Sequence, residues 1–408
     1  MVFFDEVEIL FANVISYAFS VLFFSFSIKF SILDHNITRI VHRSAGLNKA
    51  FVSNYERDPS IGWQFFCNSS GLFRHYPPTV WNFQPVNMYD CRTRSWYTGT
   101  ATSAKDVVIL IEKSGSITGS RLQIATDIVR NILDTLTPND FVNVFKFSDN
   151  VENLVNCFNN TLVQANSANV FEFKQALHNI TTEHQIDLAR ALNQTFRLLQ
   201  KYRKDKGGGN CNQAIMIISD GMEYNSTIQD LFKKYNWNEN YPVRVFTFLI
   251  GKEIPIQDYQ QVKLMACENQ GYYVQIDTTK EVREQVLNYI PVMARPMVMH
   301  GSQNPIQWST IYADIHDSYR ITNQEWNCRQ RENQRRIVTK YLTNYPDYPC
   351  IDFSETERDT ARKFVFVTTV AMPAYEKGGN NVSWHFMFKY SIINHVFLTV
   401  NASWCRWY

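Results

Sequence analysis

The run DVVILIEKSGSITGS (106–120) restricts the fold of this chain more than any other stretch. Residues 107–111 are apolar without interruption and mostly β-branched, which suits a central parallel strand covered on both faces. The run then breaks into a polar turn and opens a helical pattern. In open α/β sheets, ligands bind at the carboxyl ends of such strands. Glu112, Ser114 and Ser116 therefore stand where oxygen atoms could hold a hard cation, with Gly115 permitting the tight turn. The simpler alternative is an ordinary strand-to-helix turn with a serine cap.

Downstream, strand and helix patterns alternate. Leu122, Ala125, Ile128, Val129, Ile132 and Leu133 recur at helical spacing, and residues 141–147 read as a strand. Residues 170–180 and 188–202 read as amphipathic helices, and 214–219 as a second buried strand ending in Asp220 and Gly221. A third strand, 243–250, ends at Gly251. This alternation predicts an α/β fold with a doubly wound, mostly parallel sheet, and places Asp220 at the same sheet edge as Glu112.

The flanks differ in character. Residues 34–105 are rich in Trp, Tyr and Pro, with aromatic strands expected after Pro59 and after Gly71, and read as one half of an α+β module. In YDCRTRSWY (89–97), Arg94 with Trp96 and Tyr97 reads as alternating strand positions, offering a guanidinium to a carboxylate beside an aromatic wall. A surface arginine beside two core aromatics is the alternative. After residue 298 the alternation is lost, and 364–372 is one further strand.

At 408 residues the chain exceeds what one core usually supports, so two domains, or one inserted in another, are expected. A net charge of +2 offers no electrostatic case for nucleic acid. Eight cysteines and the sequons at Asn36, Asn68, Asn159, Asn179, Asn193, Asn225, Asn381 and Asn401 point to the secretory pathway. Residues 9–28 form an uncharged run of about membrane-spanning length, expected to be a signal or signal anchor, with a buried segment as the alternative. Among enzyme signatures, His75, His184 and His300 stand near no nucleophile pattern, and Gly207 to Gly209 lack the Lys-Ser/Thr of a phosphate loop.

The 106–116 run followed by Ser219, Asp220 and Gly221 resembles a von Willebrand factor A domain, a Rossmann-like fold. The segments DPSIGWQFFCNSSGLFRHYP, YDCRTRSWY, NDFVNVFKF, VRVFTFLIG, MACENQGYY, RPMV and VTTVAMP narrow the resemblance to the alpha-2/delta auxiliary subunits of voltage-gated calcium channels. It implies an A domain inserted in a cache-like domain, and a non-enzymatic protein on the extracellular face of the plasma membrane, or secreted if the chain is this short. It also implies support of channel trafficking and gating through the pore-forming subunit. An adhesion or matrix-binding protein without a channel is the alternative. The expected parts are a hydrophobic segment (1–33), a cache-like flank (34–103), the A domain (104–298), a cache-like continuation (299–375) and a divergent or truncated tail (376–408).

The resemblance also assigns residues. It implies a divalent cation, Mg or Ca, at Glu112, Ser114, Ser116 and Asp220, and a pocket for free amino acids and gabapentin-like drugs using Arg94, Trp96 and Tyr97. The cation site departs from the family pattern. Glu112 stands where the family has Asp, its extra methylene moving the carboxylate by about 1.5 Å, and Ile186 falls where the family has a Thr ligand, beside Asp187. Binding is therefore expected to be weak or absent. Cys267 resembles the family cysteine linked to the delta portion, while Cys157 with Cys211, Cys328 with Cys350, and Cys67 with Cys91 are conceivable pairs.

Overall fold

A computed structural model of the chain describes residues 35–58, 61–76, 89–182, 186–205, 212–222, 224–251, 254–300, 306–309, 311–315, 364–372 and 387–391. The expectations for residues 9–28, for Cys211, Cys328 and Cys350, and for Asn381 and Asn401 lie outside these residues. The described residues form two compact units, one taken from the chain up to Cys91 and from Trp308 onward, the other from residues 92–307.

The first unit begins with helices α1 (His35–Ser44) and α2 (Leu47–Arg57). Asp58 ends α2 in an extended conformation, as a residue preceding proline should. Strands β1 (Ile61–Cys67) and β2 (Phe73–Tyr76) form an antiparallel hairpin. Its turn needs Gly71, whose φ is 84°. The buried Gln64 ties α2 to β1, its Nε2 donating to the Phe51 carbonyl at 2.8 Å. Cys67 and Cys91 form a disulfide with Cα atoms 6.0 Å apart.

The second unit opens with α3 (Ser95–Thr102). This corrects the strand reading of the segment carrying Arg94, Trp96 and Tyr97: Cys91–Thr93 is a 3-10 turn and a helix follows. Three threonines donate their hydroxyls to carbonyls four residues earlier, Thr100 to Trp96 at 2.6 Å and Thr102 to Thr98 at 2.8 Å among them. Internal bonding of this kind satisfies β-branched residues within a helix that tertiary packing demands.

The order then runs β3 (Lys105–Glu112), α4 (Ser120–Asp134), β4 (Phe141–Phe147), β5 (Val151–Asn153), β6 (Val163–Gln164), α5 (Ser167–Ala176), α6 (Leu188–Asp205), β7 (Asn212–Ser219), α7 (Ser226–Tyr235), β8 (Val243–Ile250), α8 (Ile256–Glu268), β9 (Tyr272–Ile276), α9 (Thr279–Leu287) and α10 (Tyr289–His300). The sheet order is β5-β4-β3-β7-β8-β9, with β6 also on β4. Strands β4, β3, β7, β8 and β9 are parallel, while β5 and β6 run antiparallel at the edge. This is the doubly wound, mostly parallel sheet that the sequence predicts.

All of β3 is buried. Val108 and Leu110 join the core with Leu192 and Phe196 of α6, Phe232 of α7 and Met265 of α8. The period of two turns Val107, Ile109 and Ile111 to the opposite face, the side on which α4 packs. Each such fully buried side chain contributes roughly 1.5–3 kcal/mol. The two-sided apolar run thus reports a strand sandwiched between helices.

The first unit resumes with β10 (Gln307–Trp308), β11 (Tyr312–Ile315), β12 (Phe364–Ala371) and β13 (Met387–Ser391). They extend the hairpin into a six-stranded sheet of order β10-β12-β13-β1-β2, with β11 on β12. Phe65 of β1 pairs with Met387 of β13, so strands far apart in sequence share one sheet.

Candidate metal centre

The sheet topology chooses the place for a site. From β3 the chain moves to β4 on one side, then crosses back to β7 on the other, so the carboxyl ends of β3 and β7 face a switch point. Ile111 pairs with Ile218, so the register sets Glu112, the last residue of β3, level with Ser219, and Asp220 follows one residue further on.

Four side chains form a chain of contacts there. Ser114 Oγ donates to Glu112 Oε1, Ser114 and Ser116 hydroxyls are 2.8 Å apart, and Ser116 Oγ donates to Asp220 Oδ1 at 3.0 Å. Three contacts are served by only two hydroxyl protons, so one lacks a proton unless Glu112 carries it or a cation replaces it. Glu112 is fully buried, and its Oε2 has no hydrogen-bond partner. Burial pushes its carboxyl up to about 7, a rise that Ser114, Ser219 and the Asp220 backbone oppose and the Asp220 charge reinforces.

An orphaned buried oxygen, two hydroxyls and a second carboxylate are a donor set that suits a hard divalent ion. Among the described residues no three His, Cys, Asp or Glu side chains converge, so such a site must draw on hydroxyls. Ile186 is 40% exposed and supplies no oxygen. Asp187 caps α6, its Oδ1 accepting from the Arg190 amide at 2.9 Å. One cation is already present: Arg121 Nη1 donates to Asp220 Oδ2 at 2.7 Å. Sequence reading passed over Arg121, because it is a contact across 99 positions with no local signature.

The other expected residues are dispersed. Arg94 is exposed at the start of α3, Trp96 is half-buried and Tyr97 is buried, their rings meeting edge to face at 6.0 Å. Among the described residues Cys157 and Cys267 are free, exposed thiols, and the Cys157–Cys211 pairing involves a residue outside them. Asn159, Asn179 and Asn225 are exposed, as a glycan requires. Asn68 is buried, its Oδ1 accepting from Ser69 Oγ at 2.9 Å, and does not meet that requirement. Asn193 is half-buried, accepting from Tyr235 OH at 3.3 Å. The side chain of Asn36 lies outside the described ones.

Comparison with known proteins agrees with this architecture. The von Willebrand factor type A domain model matches residues 107–223, and the VWA N-terminal model matches 29–81. Human voltage-dependent calcium channel subunit alpha-2/delta-4 is 41% identical over 283 residues, 69% of this chain and 24% of that protein. Human alpha-2/delta-3 is also 41% identical over 283 residues, 69% of this chain and 25% of its own length. Human alpha-2/delta-2 is 37% identical over 270 residues, 66% and 23% of the two chains. The chain thus spans about a quarter of the length of these relatives, which are channel subunits rather than enzymes. Residues 107–223 and 29–81 thus carry a von Willebrand factor A region and the N-terminal segment before it, and this part of the chain is similar to the corresponding part of the alpha-2/delta calcium-channel subunits.

Proposed function

We propose that this chain acts as a non-enzymatic, extracellular part of a voltage-gated calcium channel, supporting trafficking and gating through its A domain. The observation that carries the reading is 41% identity to alpha-2/delta subunits over 69% of the chain. The cluster at the ends of β3 and β7 is the surface that meets the pore-forming subunit. Glu112, Ser114, Ser116 and Asp220 would hold a Mg or Ca ion there, weakly, because Ile186 contributes no oxygen. Bound, the ion supplies a positive charge that an acidic group of the partner can share. The Cys67–Cys91 disulfide suits an oxidising compartment, and the exposed thiol of Cys267 is the point where a delta portion would attach.

Co-expression with a pore-forming calcium-channel subunit should give co-purification and a larger surface current. If neither occurs while the protein binds matrix or cell surfaces, the adhesion reading replaces this one. For the amino-acid pocket, the chain alone is expected to show no measurable binding of gabapentin-class compounds. Saturable binding that vanishes in Arg94→Ala would overturn that expectation.

A further inference from the structure

Both carboxylate oxygens of Asp220 already have a partner. Ser116 takes Oδ1 and the Arg121 guanidinium takes Oδ2. The Asp220 side chain is only 8% exposed, so this pair is partly withdrawn from water, whereas Arg121 keeps 44% of its surface and has room to swing away. Arg121 lies in the first turn of α4, where the helix dipole disfavours a positive charge. Its placement is therefore set by Asp220 and by space at the end of β8, where a Cβ on Gly251 would stand 3.8 Å from Nη2. Meanwhile Glu112 Oε2, buried at the other end of the same cluster, lacks any partner. One carboxylate is thus neutralised internally and the other is left for an incoming charge.

We propose that Arg121 is a built-in counter-cation that competes with a divalent ion for Asp220 and sets the affinity of the site. This rests on the cation reading above. An ion contacting both carboxylates would lie within about 5 Å of the guanidinium, and even at the dielectric of water that repulsion weakens binding roughly tenfold or more. Ion binding therefore favours withdrawal of Arg121. Partner docking that needs the ion would then also favour Arg121 turned outward, which leaves a guanidinium at the rim for an acidic group.

Calorimetric titration of the full chain with Mg and Mn tests this, using wild type, Arg121→Gln and Arg121→Lys. Arg121→Gln should bind at least about tenfold tighter than wild type, while Arg121→Lys, which retains the charge, should stay near it. Equal or weaker binding by a folded Arg121→Gln, with wild-type binding intact, overturns the inference and leaves the cation reading standing. No binding by any of the three overturns both. A second measurement needs no variant: saturating Mn should speed modification of Arg121 by phenylglyoxal, read by mass spectrometry, and an unchanged rate would also overturn the competition.

Discussion

Glu112→Gln should raise the stability of the metal-free protein at pH 8 by about 3 kcal/mol, while removing divalent binding. The carboxyl of Glu112 is raised in the folded chain from 4.5 to about 7, chiefly by burial. An acid with a raised folded value contributes stability that is complete below its unfolded value and is lost as pH rises through the folded one. In chelator, wild type should therefore weaken between about pH 4.5 and 7, in the window set by that shift, and Glu112→Gln should not show this component. For a unit of this size the gap at pH 8 corresponds to roughly 6–12 °C in Tm, and it should nearly close by pH 5. Parallel Tm profiles for the two proteins across this range would show that the buried carboxylate carries no such cost. Such a gain would mark Glu112 as a residue that costs stability, as binding-site residues commonly do.

The second large effect lies at the opposite end of β3. Lys105 and Asp140 are both wholly buried and meet at 2.9 Å. Asp140 also accepts from the Lys105 amide at 3.0 Å, the Thr137 amide at 2.7 Å and Thr137 Oγ1 at 3.0 Å. Lys105 Nζ donates in addition to Thr102 Oγ1 at 2.9 Å. Burial alone would lower the lysine, yet the charge of Asp140, with Tyr289 and the Asp140 hydrogen bond, outweighs it and raises the value. The pair joins α3, the start of β3 and the turn before β4 into one polar knot. Lys105→Met should cost about 3–5 kcal/mol in urea unfolding, because it strands a buried carboxylate. Adding Asp140→Asn should recover much of that loss, since the stranded charge is then gone. A single-variant cost below about 1 kcal/mol would mean that water reaches Asp140 and that the knot is not sealed.

Parts of this molecule are legible from local sequence because their physics is local. Five apolar residues in a row can be satisfied only by burial on both faces, so β3 and the parallel sheet around it follow directly. The strand–helix alternation implies parallel strands whose carboxyl ends share one sheet edge, which is why Glu112 and Asp220 are expected there. Other parts were not legible. The helix α3 is threonine-rich and reads as strand until its hydroxyls and its packing on α10 are considered. The segments of α7, α8, β9, α9 and α10 carry short patterns that have meaning only against a completed sheet.

The sequence by itself determined the strand-turn-helix core, the oxygen-bearing residues at its end and the family resemblance those motifs carry. Only the tertiary structure decided the state of that site. It buried Glu112 and left one of its oxygens without a partner, placed Ser116 against Asp220, and brought Arg121 across 99 positions to hold the remaining carboxylate oxygen. Apolar burial depends on the pattern within a segment, whereas the charge on a carboxylate depends on what surrounds it in three dimensions.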